Sequence, residues 1–231
     1  MTKVVILCGG KGTRLREETE HKPKPMVMIG NRPILWHIMK TFSHYNLHDF
    51  ILCLGYKSEV IKDYFINYDL MNGDFEINVG SMTKKVYTKD IEELNWKVTL
   101  CDTGLETMTG SRLKRIEPFI DGDFFIVTYG DAVADVNIDE LIKFHKKEGR
   151  IATLTGVRPP SKYGELEISG NAVTKFNEKP KSQNYVNGGF FVFEREIFDF
   201  LTDYDNCVLE GLPMEMLAQQ NQLSVYRHDG F

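Results

Sequence analysis

A glycine-rich turn near the N-terminus constrains this chain more than any other stretch. Residues 4–7 predict a buried strand, because β-branched and bulky apolar side chains favour strands. Gly9, Gly10 and Gly12 follow, and glycine lets the backbone approach a ligand closely. Backbone amides exposed by such a turn can bind anionic oxygens. The stretch therefore predicts a phosphate-binding turn at the end of a strand.

Three cationic side chains, Arg14, Lys22 and Lys24, follow the turn and would suit a triphosphate. Neither the third glycine of a dinucleotide fingerprint nor the lysine of a Walker loop stands at the required position after Gly12. A dehydrogenase and a P-loop ATPase are therefore disfavoured. Nucleotide binding by a longer basic loop is the remaining interpretation.

Length and composition indicate the class of protein. The chain has 231 residues, enough for one large α/β domain, and its net charge of −5 gives no basic excess for binding nucleic acid. No apolar run approaches the length of a membrane helix, so we expect a cytoplasmic enzyme without a membrane partner. The four cysteines lack CxxC spacing, which predicts reduced, buried thiols.

The order of patterns along the chain predicts repeated strand–helix units. Apolar runs predict strands at residues 50–54, 124–128, 151–157, 190–193 and 223–226, and helical periodicity predicts helices near residues 34–42, 60–65, 113–119, 138–145 and 210–220. Period-two alternation predicts further strands at residues 75–79 and 96–100 around a charged loop, and a hairpin at residues 165–168 and 172–176. We interpret His145 as a packed residue at the edge of the core.

A second candidate site is Asp131, which follows the predicted strand at residues 124–128 in a Tyr-Gly-Asp corner. Open parallel sheets bind ligands beyond the carboxyl ends of their strands. Mg²⁺ is commonly held by one or two carboxylates together with phosphate oxygens, so Asp131, with help from Asp135, would suit it. The alternative is that Asp131 caps a turn and Asp135 is solvated.

A third candidate site combines Glu178 and Lys179 with Asn187, Gly188 and Gly189. The carboxylate and amide could hydrogen-bond a polyol, and the lysine could hold a second phosphate. A solvated surface loop is the alternative interpretation.

Taken together, these stretches resemble the sugar-1-phosphate nucleotidyltransferases, and within them the glucose-1-phosphate cytidylyltransferases, over nearly the whole chain. The matching stretches are residues 9–15, 22–26, 33–39, 102–104, 109–115, 129–135, 176–180, 187–193 and 226–231. Uridylyl and thymidylyl relatives usually carry a glutamine-containing segment where this chain has residues 102–115. The resemblance therefore points to cytosine.

The resemblance implies a Rossmann-like three-layer α/β/α sandwich with a mostly parallel sheet, formed by residues 1–231 as one domain. It implies CMP transfer from CTP to a small phosphorylated acceptor, with Mg²⁺ on Asp131 and assembly into homo-oligomers. The implied catalytic residues are Arg14, Lys24 and Asp131. The implied nucleotide-binding residues are Leu7, Gly9, Gly10, Gly12, Thr13, Arg14, Lys24, Thr103, Gly104, Ser111 and Arg112. The implied acceptor-binding residues are Tyr129, Glu165, Glu178, Lys179, Asn187 and Gly188.

Three residues depart from the family pattern. Ala132 and Ser111 replace glycines, and Glu165 replaces a small residue on the acceptor side. The extra carboxylate could crowd a hexose or pair with an ammonium group, so phosphoglutamine of capsule phosphoramidate biosynthesis is an alternative acceptor to glucose 1-phosphate. The family also continues beyond Phe231 with a segment that carries a second metal-binding aspartate, which suggests a truncated form. A non-catalytic nucleotide-binding regulatory domain is the alternative of another class.

Overall fold

The computed structural model describes residues 2–12, 21–87, 92–159, 163–178 and 184–230. Its strands are β1 (Lys3–Leu7), β2 (Met28–Ile29), β3 (Arg32–Pro33), β4 (Asp49–Leu54), β5 (Asp74–Asn78), β6 (Thr83–Tyr87), β7 (Lys97–Asp102), β8 (Phe124–Tyr129), β9 (Ala152–Val157), β10 (Glu165–Ser169), β11 (Ala172–Asn177), β12 (Val186–Glu194) and β13 (Leu223–His228). Its α-helices are α1 (Ile34–His44), α2 (Ser58–Ile66), α3 (Tyr68–Asn72), α4 (Thr109–Arg115), α5 (Ile138–Glu148) and α6 (Leu212–Gln219).

Seven strands form the central sheet in the order β13-β9-β12-β8-β1-β4-β7. All neighbouring pairs are parallel except those made by β12, which runs antiparallel to β8 and β9. Leu7 at the end of β1 lies beside Tyr129 at the end of β8. The turns that follow these two strands are therefore neighbours, and Asn187 at the start of β12 lies at the same edge.

The core lies on both faces of this sheet. Val5 and Leu7 pack with side chains from α4 and α6, whereas Val4 and Ile6 pack on the other face with side chains from α1, α2 and α5. Parallel sheets need cover on both faces, which explains why their strands are almost continuously apolar. The predicted three-layer α/β/α fold is confirmed. Within the described ranges, no helix has both the length and the hydropathy to cross a bilayer.

Three antiparallel strand pairs lie outside the central sheet among the described residues: the short β2–β3 pair and two longer hairpins, one of which was only half predicted. Strand β5 was expected, but its partner β6 occupies the stretch interpreted as a charged loop. All five residues of β5 are exposed, with Phe75 at 46% and Ile77 at 39%, so the alternating pattern does not mark a buried face here. The hairpin of β10 and β11 was predicted correctly and is also exposed.

Two helix boundaries differ from the predictions, each because of a proline. Helix α4 ends at Arg115, and Pro118 lies in a separate 3₁₀ turn, because proline has no N–H to donate to the carbonyl oxygen four residues earlier and so cannot continue the α-helix. Helix α6 begins at Leu212, with Pro213 in its first turn. Glu210 therefore lies in the turn before the helix and not within it, which matters for the site described below.

Candidate active site

The turns at the carboxyl edge of the sheet enclose a cavity of about 230 Å³. Eight of its lining residues were predicted from sequence: Leu7, Gly9, Gly10, Gly12, Lys24, Arg112, Tyr129 and Asp131. Five others were not selected individually: Cys8, Pro25, Thr107, Met108 and Thr109. The cavity thus combines the glycine turn, the corner after β8 and the start of α4.

Lys24 and Asp131 form an ion pair on the wall of this cavity. The Lys24 Nζ atom lies 2.6 Å from Asp131 Oδ2, and the two side chains are 25% and 38% exposed. A 3₁₀ turn, Lys24–Met26, presents the lysine, and Pro25 in that turn fixes the backbone φ angle. Asp131 stands two residues beyond β8. A cation and a carboxylate therefore meet beside the glycine turn.

Arg112 supports the glycine turn from beneath. The residue is 4% exposed, and its guanidinium group donates hydrogen bonds to the carbonyl oxygens of Gly9 at 3.1 Å, Leu54 at 2.9 Å and Gly104 at 2.7 Å. It also donates to Thr103 Oγ1 at 2.8 Å. Burial lowers the pKa of the guanidinium from its ordinary value. The side chain therefore links the turn after β1 to the ends of β4 and β7.

The other residues implied for the base region lie behind the cavity wall. The Ser111 side chain is fully buried, its hydroxyl donates to the carbonyl oxygen of Tyr204, and Ser111 does not line the cavity. The Thr103 hydroxyl donates to the Leu54 carbonyl oxygen at 2.7 Å. Gly104 has a φ of +95°, a conformation that favours glycine. Thr103 and Ser111 therefore act as supports of the wall.

The acceptor-side residues Tyr129 and Asn187 are in contact. Asn187 Nδ2 donates to the Tyr129 hydroxyl oxygen at 3.2 Å, and the Gly189 amide donates to Asn187 Oδ1 at 2.9 Å. The Tyr129 hydroxyl in turn donates to the carboxylate of Glu210. Burial is the largest cause that raises the pKa of Tyr129, and the hydrogen bond to Glu210 raises it further. A Cβ atom at Gly189 would come within 2.6 Å of the Tyr129 ring, so glycine is required beside it.

The remaining acceptor-side predictions have different outcomes. Gly188 packs closely against β9, since a Cβ atom there would lie 2.8 Å from Val157 Cγ1. Glu165 and Glu178 are exposed at the ends of the β10–β11 hairpin and do not line the cavity. Thr13, Arg14 and Lys179 lie outside the described residues.

The family model described as "Nucleotidyl transferase" matches residues 3–227. The chain belongs to the nucleotidyl transferase family. It is 49% identical to "Glucose-1-phosphate cytidylyltransferase" of Salmonella typhi, covering 99% of this chain and 89% of the relative. It is 42% identical to "Probable glucose-1-phosphate cytidylyltransferase" of Bacillus subtilis (strain 168), with the same coverage. The crystal structure of HddC from Yersinia pseudotuberculosis has the same fold, with a TM-score of 0.70, 24% identity and coverage of 100% and 92%.

Asp131 is the one acidic side chain among the described residues that line the cavity. Among the residues that the structure describes, no three His, Cys, Asp or Glu side chains form a metal-binding cluster. A single carboxylate on an open wall nevertheless fits Mg²⁺, which takes one or two protein carboxylates and completes its shell with phosphate oxygens and water. Asp135, the expected helper, accepts instead from His228 Nε2 at 2.8 Å. Of the two carboxylates expected at the metal site, Asp131 lines the cavity and Asp135 does not.

Proposed function

We propose that this nucleotidyl transferase transfers CMP from CTP to glucose 1-phosphate, with release of pyrophosphate. One observation carries the proposal: the chain is 49% identical, over nearly its whole length, to a protein named glucose-1-phosphate cytidylyltransferase. The glycine turn and the Lys24–Asp131 pair support it, because they supply amide donors, a cation and a metal-binding carboxylate at one cavity.

Each group would act on a different part of the nucleotide. The amides at Gly9, Gly10 and Gly12 would bind phosphate oxygens of CTP, and Arg14, two positions after Gly12 in the sequence, would add positive charge. Asp131 would hold Mg²⁺, which supplies charge neutralisation to the triphosphate when bound. Lys24 would then exchange its contact with Asp131 for a phosphate oxygen. This exchange keeps the lysine charge compensated with and without nucleotide.

The reaction needs positioning more than proton transfer. An oxygen of the acceptor phosphate is already anionic at neutral pH, so it attacks the α-phosphorus of CTP without a general base. The new oxygen–phosphorus bond forms as the bond to the β-phosphate oxygen breaks, and pyrophosphate leaves with the electron pair. The difficulty is to bring two anions together, which Lys24 and Arg14 would address by electrostatic stabilisation.

For the acceptor, Tyr129 and Asn187 would contact the sugar, with Glu178 and Lys179 contributing from the segment after β11. The Glu165 carboxylate is the sequence feature that makes phosphoglutamine an alternative acceptor. Neither Glu165 nor Glu178 lines the cavity, so the carboxylate at position 165 does not discriminate between the two acceptors, and the 49% identity to a protein named glucose-1-phosphate cytidylyltransferase favours glucose 1-phosphate. Assembly into homo-oligomers and location in the cytoplasm stay predictions.

The test is pyrophosphate release from CTP and Mg²⁺ with a panel of acceptors that includes glucose 1-phosphate and phosphoglutamine, with UTP and GTP as competing nucleotides. We expect turnover with CTP and glucose 1-phosphate. Turnover only with phosphoglutamine would overturn the acceptor. Binding of CTP by calorimetry without turnover of any acceptor would favour the non-catalytic regulatory domain.

A further inference from the structure

Glu210 joins the two halves of the candidate site, although it belongs to neither predicted set. Its Oε2 atom accepts from Thr109 Oγ1 at 2.7 Å, and its Oε1 atom accepts from the Tyr129 hydroxyl. Thr109 lines the cavity at the start of α4, and Tyr129 lines it at the end of β8. One carboxylate therefore connects the nucleotide side to the acceptor side.

The backbone around Glu210 fixes its position. Leu209 is fully buried, and its amide donates to Thr109 Oγ1 at 2.9 Å. The Gly110 amide donates to the Cys207 carbonyl oxygen at 2.9 Å, and a Cβ atom at Gly110 would lie 2.7 Å from Cys207 Sγ. The turn before α6 is thus packed directly against the start of α4. An exposed carboxylate carried by an anchored backbone is suited to orienting its neighbours.

The contact with Glu210 sets the direction of the Tyr129 hydroxyl. A tyrosine hydroxyl has one proton to donate and two lone pairs that accept. An ionised carboxylate only accepts, so the Tyr129 proton points to Glu210, and one lone pair accepts from Asn187 Nδ2. The second lone pair remains for a ligand. With its proton held in this way, Tyr129 can accept a hydrogen bond from the acceptor substrate but cannot donate one.

We propose that Glu210 is a positioning residue that makes Tyr129 a hydrogen-bond acceptor, so that the site selects an acceptor substrate with a donating hydroxyl group at that point. This inference rests on the proposed function, in which the acceptor is a sugar phosphate. A purely electrostatic role of the Glu210 carboxylate predicts a different result when Glu210 is replaced by a neutral residue. Removing a negative charge beside two anionic substrates would strengthen their binding, whereas loss of positioning weakens discrimination between them.

The test compares glucose 1-phosphate with its four monodeoxyfluoro analogues, because fluorine replaces a donating hydroxyl by a group that cannot donate. In the wild type we expect kcat/KM to fall about tenfold or more for one analogue beyond the intrinsic effect of fluorine. In Glu210→Ala the freed Tyr129 proton can turn to the ligand, and the discrimination should fall to about twofold. Tyr129→Phe should lose this discrimination as well. Glu210→Gln keeps one accepting oxygen, so its discrimination should lie between those of the wild type and Glu210→Ala.

Glu215→Gln is the matched control, since Glu215 is an exposed glutamate on α6. It should keep the wild-type discrimination. An equal fall in kcat/KM for glucose 1-phosphate and every analogue in Glu210→Ala would indicate a merely structural role and overturn the inference. Discrimination between glucose 1-phosphate and the analogues that is unchanged from the wild type would overturn it as well. A wild type that binds sugar phosphates by calorimetry but does not turn them over contradicts the proposed function alone, and the ratios of Kd then decide the role of Glu210. A wild type that binds none overturns both.

Discussion

The Lys24 ammonium group lies 2.6 Å from the Asp131 carboxylate, although 107 positions separate the two residues in the chain. Both residues line the cavity, and both side chains are partly exposed. When no ligand is bound, the two charges compensate each other. A triphosphate with a divalent cation offers each of them a new partner, so the pair can separate without leaving either charge uncompensated.

Asp131→Asn should lower kcat by about a hundredfold or more, because the neutral amide is a poor ligand for a hard divalent cation and no longer compensates Lys24. Initial rates at saturating CTP and acceptor would measure the effect. Asp123→Asn is the matched control, since Asp123 is exposed at the opposite end of β8 and should leave the rate unchanged. A wild-type rate in Asp131→Asn would remove Asp131 from the mechanism.

Removal of divalent cations with a chelator should abolish turnover, and added Mg²⁺ should restore it. The physical reason is that the acceptor phosphate must approach the triphosphate against charge repulsion. Initial rates across a Mg²⁺ titration would test this expectation. Activity that persists after exhaustive chelation would show that Lys24 and the other protein cations suffice.

Gly9→Ala should destabilise the protein by about 1–3 kcal/mol, because overpacking a well-packed site carries a cost of this size. A Cβ atom at Gly9 would overlap the Arg112 guanidinium, which its hydrogen bonds to Leu54, Thr103, Gly104 and Gly9 hold in place. Urea unfolding would measure the loss. At Gly10 no atom lies within 4 Å of an added Cβ, so Gly10→Ala should unfold at nearly the wild-type urea concentration. Equal stability of the two variants would contradict this packing.

Arg112→Met and Arg112→Lys should both cost about 2–4 kcal/mol in the free energy of unfolding. The carbonyl oxygens of Gly9, Leu54 and Gly104 would lose their donors, and a lysine cannot reproduce the planar fork that reaches all three. Denaturant unfolding of the two variants provides the measurement. Full stability in Arg112→Lys would show that the charge, and not the geometry of the donors, matters here.

The fold was predictable because the central strands are short apolar runs that occur between amphipathic helices. Strands β1, β4, β8 and β9 are covered on both faces, so local composition reported their burial directly. The β5–β6 hairpin was harder, because its apolar side chains remain exposed and β6 carries two lysines. Alternation alone cannot distinguish a half-buried strand from an exposed hairpin.

The position of a candidate site residue was most predictable where the residue lies close to a strand end. Asp131 follows β8 directly, and the glycines follow β1 directly, so the sequence places them at one edge of the sheet. Glu210 reaches Tyr129 across 81 positions through the packing of the turn before α6, and no local pattern marks it. Ser111 is the reverse case, a residue that the sequence marks but that does not line the cavity. Its stretch lies near the cavity, but the direction of its side chain depends on the three-dimensional contact with Tyr204.

The buried ring of His145 should make stability depend on pH. The side chain is fully buried on α5, as a packed residue was expected to be, and burial lowers its pKa from 6.5 to about 4. A neutral ring satisfies both neighbours, since Nε2–H can donate to Glu194 Oε1 at 3.1 Å while Nδ1 accepts from Thr153 Oγ1 at 2.8 Å. Burial therefore opposes protonation without leaving the ring unpaired.

Because the folded-state pKa lies below the unfolded one, the unfolded chain binds more protons between these values. The contribution of His145 is present above pH 6.5 and is lost as the pH falls towards 4, by about 3 kcal/mol in total. Unfolding free energies from about pH 4 to about pH 8 would measure it. His145→Gln should lose this part of the pH dependence. His44→Gln, at an exposed histidine, should keep it, and identical profiles for His145→Gln and the wild type would show that the buried ring does not titrate as inferred.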